Sequence, residues 1–191
     1  MRISKVPFII FCIISILFGI HAYLNNTGWI FDQILGIIIM LIFLKFSRQL
    51  KLNTFTYVLL GIALLIHHAG TFGYYDISPL PFQYDHLTHG FGLFAFTLAT
   101  LNFLYYKNLN TMELILISLL IGLGFGAFLE IYEFLGHLYR NNLLFNLLSG
   151  LILDKTDQGR EYANSMIDLL YNFLGCLIAI VVGEIRFYFK A

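Results

Sequence analysis

The sequence predicts an all-α membrane protein, a six-span helical bundle with both termini cytoplasmic. Three observations lead there. Of the 191 residues, 59% are hydrophobic and 12% charged, with a mean hydropathy of +0.81, about half the charge of a typical soluble domain. Six apolar windows approach the roughly 20 residues needed to cross a hydrocarbon core of about 30 Å. The basic residues gather on alternate connections. Arg2, Lys5, Lys45, Arg48, Lys51, Lys107, Arg186 and Lys190 fall on the terminal face, leaving Arg140, Lys155 and Arg160 on the other. Short cytoplasmic loops collect Lys and Arg, so both termini belong inside, in a cytoplasmic (inner) membrane.

The windows are residues 6–23, 29–46, 54–72, 85–104, 112–134 and 165–188. They are too long, and too little alternating, for the strands of a membrane barrel. In the first, Arg2 and Lys5 precede an apolar run in the manner of a signal peptide. The run ends in Gly19-Ile20-His21-Ala22-Tyr23, without a small-x-small cleavage pattern, and is read as a retained span. Outside, residues 25–28 form a tight polar turn. Residues 73–84 carry Pro79 and Pro81, which cannot continue a helix. The longest connection, 136–164, has Leu143, Leu144, Leu147, Leu148 and Leu151 at helical spacing, as in a segment lying along the membrane surface. No repeat or linker divides the chain, which reads as a single integral membrane domain over 1–191.

Eleven basic and eleven acidic residues balance to zero net charge, and no basic block is present, which argues against nucleic-acid partners. Cys12 and Cys176 sit in apolar runs without a metal-ligand or redox spacing. The bilayer is the partner that composition implies.

An ionisable side chain inside the hydrocarbon costs several kcal/mol unless paired, coordinated or hydrated, so its position is informative. Here such residues cluster at the outer ends of the helices. His67 and His68 lie near the end of the third span, and Asp85, His86 and His89 open the fourth. Glu130 and Glu133 close the fifth, with His137 just beyond. Asp168, followed by Asn172, opens the sixth. Residues four apart share a helical face, so Asp85 projects with His89, Glu133 with His137, and Asp168 with Asn172. Gly122 and Gly126 form a small-xxx-small pair on the fifth span, and Gly90 and Gly92 lighten the fourth.

Each position also has a plain structural explanation. Histidine tolerates the headgroup region, Asp85 and Asp168 suit a first helical turn, and Glu133 suits a water boundary. Glu130 fits none of these, because the apolar run Gly124 to Leu129 precedes it. Its carboxyl group requires a cation or protonation. Four helices supplying Asp, Glu and His at one depth favour a shared polar site.

The segment Tyr84-Asp85-His86-Leu87-Thr88-His89, the pair Glu130-Ile131-Tyr132-Glu133, and Asp168 with Gly175 resemble the YjdF-like family of small multi-pass inner-membrane proteins. That resemblance covers about Ile66 to Ile180. The run Asp168-Leu169-Leu170-Tyr171-Asn172-Phe173-Leu174-Gly175 resembles the ending of VanZ-like membrane proteins. Asp154, Asp157, Gln158, Gly159 and Arg160 reproduce only part of the YjdF-like loop series. The resemblance implies a membrane site and names no reaction.

Three functions are consistent with these residues. The first is a metal-dependent enzyme acting on a lipid or polyprenyl headgroup. In it Asp85, His89, Glu130, Glu133 and Asp168 hold a divalent metal of open identity, Glu130 and Asp168 are catalytic, and Arg160 or Arg140 binds phosphate. His67, His68, His86, His137 and Asn172 complete its polar surroundings. The second is a non-catalytic protein that binds a lipid or small molecule for envelope resistance or transport. The third is a structural membrane subunit whose polar groups only bond helix to helix.

Overall fold

The computed structural model describes residues 4–25, 29–140 and 155–188, with side chains described up to 131 and again over 164–185. Among the described residues it is all-helical, with no strand. The helices are α1 Val6–Leu24, α2 Ile30–Lys45, α3 Thr54–His68, α4 Tyr84–Leu104, α5 Thr111–Arg140 and α6 Lys155–Tyr188. A 3-10 turn, Ala69–Phe72, continues α3.

Among the described residues, five segments are long and apolar enough to cross a membrane: Val6–Leu24, Thr54–Phe72, Tyr84–Leu104, Thr111–Ile131 and Asn164–Ile185. They make this a multi-pass membrane protein. Their surfaces agree, since Ile13 and Leu17 on α1, Leu120 and Phe128 on α5, and Ile178 and Val181 on α6 are exposed. Only a hydrocarbon solvent accommodates so much outward apolar area. The expected span at 29–46 is a helix of 16 residues, about 24 Å long at 1.5 Å per residue.

Two boundaries differ from expectation. α5 runs past 134 to Arg140, and α6 begins at Lys155 rather than at 165. Hydropathy marks only the lipid-facing part of a helix. The leading Lys155-Thr156-Asp157-Gln158-Gly159-Arg160-Glu161-Tyr162-Ala163 is polar yet rich in helix formers, and it extends α6 without an apolar signal. The leucine-rich 143–151 segment lies outside the described residues.

The helices pack as two trios. α1, α2 and α3 contact one another, α4, α5 and α6 contact one another, and α3 against α4 joins the two groups. In the first trio Phe11, Met40, Tyr57 and Leu60 form the core, and the buried Tyr57 hydroxyl donates to the Met40 carbonyl at 3.1 Å. In the second, Leu98 and Leu101 of α4 meet Leu114 of α5 and Ala179 and Ile180 of α6. α4 and α6 approach most closely at Gly175, where a Cβ would stand 2.1 Å from the Gly90 carbonyl oxygen. That position admits only glycine without moving the backbone.

Candidate metal centre

The close approach of α4 and α6 sets the polar site. Asp168, Asn172 and Gly175 are spaced i, i+4, i+7 on α6 and share one face. Gly175 touches Gly90, and the two polar residues above it meet histidines of α4. His86 Nδ1 lies 3.0 Å from Asp168 Oδ1, and its ring stacks on Tyr171 at 4.4 Å between centroids. Asn164, one turn before Asp168, donates to Asp168 Oδ2 at 2.8 Å and also reaches Asp85.

His89 occupies the middle. Its Nε2 is 3.4 Å from Asp85 Oδ1 on its own helix, as the i, i+4 spacing predicts. Its Nδ1 faces the other way, 3.1 Å from Glu130 Oε1 of α5 and 3.3 Å from Asn172 Oδ1 of α6. Asn172 also donates to Glu130 Oε1 at 3.4 Å. Gly126 makes room, since a Cβ there would come within 3.0 Å of the Asn172 amide nitrogen. Glu130 therefore has the partner that its apolar setting requires.

One ligand atom each from Asp85, His89 and Asp168 lies within 4.8 Å of the others. Asp168 is fully buried, His89 is 5% exposed and Glu130 6%. Three carboxyl groups thus meet two imidazoles, with all but Asp85 buried. With both histidines neutral and all three acids ionised the cluster would carry three negative charges, which a low-dielectric setting penalises heavily unless protons or a cation offset them. The nitrogen roles point the same way. A carboxylate beside Nδ1 fixes the proton there and leaves Nε2 with a lone pair directed at Asp85. Two electron-rich atoms 3.4 Å apart call for a cation or a proton between them.

Of the residues singled out in the sequence, the fold brings Asp85, His86, His89, Glu130, Asp168 and Asn172 into one connected group. Glu130, expected among the metal ligands, stands behind His89 rather than beside Asp85. The side chains of Glu133, His137, Arg140 and Arg160 lie outside the described residues. His67 and His68 do not join the cluster. His67 Nδ1 is 2.8 Å from the Tyr75 hydroxyl, within an aromatic group completed by Trp29, and His68 is buried against Gly36. Asn164 is an addition. The spacing that linked Asp168 to Asn172 also links it to Asn164, so the sequence carried that signal.

A family model described as a predicted membrane protein, DUF2238, matches residues 3–188. The chain belongs to the DUF2238 family. This is the YjdF family, so membership extends the resemblance carried by Tyr84 to His89, Glu130 and Asp168 across nearly the whole chain, α1 and α2 included. No curated protein and no solved structure matches the chain.

Proposed function

We propose that this DUF2238 protein holds a divalent metal ion with Asp85, His89 and Asp168 and uses it on the headgroup of a lipid or polyprenyl. The convergence of those three ligands, with Glu130 on the opposite nitrogen of the His89 ring, carries the reading. A mixed imidazole and carboxylate set suits zinc or a neighbouring transition metal better than a hard ion such as calcium. Glu130 and Asn172 then serve as positioning residues that hold the His89 ring and its tautomer, the part an outer carboxylate plays at many histidine-metal bonds.

A metal at this depth would polarise a phosphoryl or ester oxygen, or bring a water molecule toward ionisation near neutral pH. The distribution of Lys and Arg supports six spans, counting the short α2, with the termini in the cytoplasm. That orientation turns the site toward the outer face of the cytoplasmic membrane. Arg160, eight residues before Asp168 on the same helix, is the basic residue nearest in sequence to meet a phosphate. The resemblance of Asp168, Asn172 and Gly175 to the ending of VanZ-like proteins supports treating this face of α6 as one unit.

Elemental analysis of the protein purified in detergent tests the reading. About one tightly held transition-metal ion per chain is expected, with loss of that ion in Asp168→Asn while the helical circular dichroism is retained. A metal-free wild type whose melting temperature is the same with and without chelator overturns it. A reporter at the carboxyl terminus separately tests the orientation.

A further inference from the structure

The joint between the two helix trios holds a half-open cavity of about 320 Å³, lined by α2, α3, α4 and α5. Its polarity is graded along the helices. Asp32, His67, His68, Thr88 and His89 line one end, and the rest of the wall is apolar down to Phe43, Leu60, Phe96 and Phe125. Seven residues separate His67 from Leu60 and His89 from Phe96, a depth of about 10 Å at 1.5 Å per residue. His89 belongs both to this wall and to the metal centre, so the polar end of the cavity abuts the ligand cluster.

Three further features describe the occupant. α2 and α5 both line the cavity, yet among the described residues no Cα of one comes within 8 Å of a Cα of the other. Among the described residues the Nδ1 of His68, a residue only 1% exposed, has no hydrogen-bond partner although the residue lines the cavity, and the bond from its other nitrogen to the Asp32 backbone carbonyl leaves Nδ1 an acceptor. Gly92 sits in the wall with open space where a side chain would project. A void lined by leucine, isoleucine and phenylalanine and ending at imidazoles matches a hydrocarbon chain with a polar head rather than a polar solute.

We propose that this cavity binds a single-tailed amphiphile, its one hydrocarbon chain between the trios and its head at the polar end, where His68 Nδ1 accepts from a hydroxyl of the head and the oxyanion faces the metal centre beside His89. The choice of a phosphate head rests on the metal reading; the site for the tail does not. The volume lies at the low end of the roughly 300–1,000 Å³ typical of ligand pockets, enough for one chain and too small for a two-tailed lipid body.

A diazirine-bearing alkyl phosphate, photolysed with the full-length protein in phosphatidylcholine vesicles, provides the probe. Saturable labelling is expected on the cavity residues Ile39, Gly92 and Phe96, competed at least tenfold by excess unlabelled alkyl phosphate. Labelling of the lipid-facing Ile13 and Leu17 should not be competed. Gly92→Leu, which replaces a poor helix former and projects into the void, should abolish the competed labelling while leaving bound metal and helical content unchanged. Cavity labelling that is not competed, or that survives Gly92→Leu, overturns the proposal. So does a change from dimer to monomer in Gly92→Leu, which would assign the cavity to a second copy of the chain. Competed labelling in a protein without metal would retain the tail site and remove the metal reading, and bound metal without competed labelling would do the reverse.

Discussion

The two ends of α4 bury polar side chains by opposite strategies. At its last turn, Asn102 accepts from the Asn53 amide at 2.9 Å and donates to the Lys51 carbonyl, while Asn53 accepts from the Thr56 backbone N–H at 3.0 Å and caps α3. These groups are neutral, and each donor meets an acceptor. At the first turns, Asp85, His86 and His89 meet Glu130 and Asp168, an assembly of carboxylates that the surrounding amides cannot neutralise. Both networks tie α4 to its neighbours, but the amide network achieves this without an ionised group. Fastening helices does not by itself require three acids, and the proposed cation is what would distinguish that end from the amide end.

The strongest way to break this contrast is Asp168→Asn. It preserves shape and an acceptor for His86 but removes a metal ligand. Metal affinity should fall by more than about 100-fold, beyond the roughly 10–100-fold typical of losing an outer partner. Competition against a chelator of known affinity reads the change. If the variant holds metal as the wild type does, or if the wild type holds none, the acid end is another fastening and the contrast fails.

Glu130→Gln should act less severely. The amide can still meet Asn172, but it no longer fixes the proton on His89 Nδ1 as a carboxylate does. Metal affinity is expected to drop about 10–100-fold with stoichiometry retained at saturating metal. A loss as large as that of Asp168→Asn would instead place Glu130 in direct contact with the ion. The variant thus discriminates between the ligand role expected from sequence and the positioning role that fits the observed geometry.

The separation between these roles was only partly legible in the sequence. Periodicity put Asp85 with His89 and Asp168 with Asn172, and the apolar run before Glu130 required that it have a partner. Which ring nitrogen each carboxylate faces depends on the rotation of α5 and α6 about α4, set by Gly126 and Gly175 packing at distances no spacing rule reports. His86 drew less weight because it lies one position from Asp85 on another face, and that face proves to be the one α6 covers. The amide end carries no ionisable residue to mark it, although Asn53 before an apolar helix is a recognisable capping signal. The cavity had no linear signature at all, because its wall is assembled from four helices.

At the amide end, Asn102→Ala removes two hydrogen bonds at once, those to Asn53 and to the Lys51 carbonyl. A loss of about 1–2 kcal/mol in detergent unfolding is expected, toward the upper range for polar contacts between membrane helices. Bound metal should be unchanged. Any coupled loss of metal would mean that α4 transmits strain along its length and that its two ends are not independent.

The smallest effect, and the finest test of the contrast, comes from Asn53. Asn53→Ala removes the α3 cap together with the donor to Asn102 and should cost about 1–2 kcal/mol. Asn53→Asp keeps an acceptor for the Thr56 N–H and adds a negative charge at a helix N-terminus, where it is favoured, but it loses the donor to Asn102. The aspartate variant is therefore expected to lie between alanine and wild type in unfolding free energy, and to bind no additional metal. Should it prove less stable than the alanine variant, repulsion between the new carboxylate and the Asn102 carbonyl oxygen outweighs the gain at the cap. A single acid would then be intolerable where only amides surround it, which strengthens the inference that the three acids at the opposite end persist because a cation joins them.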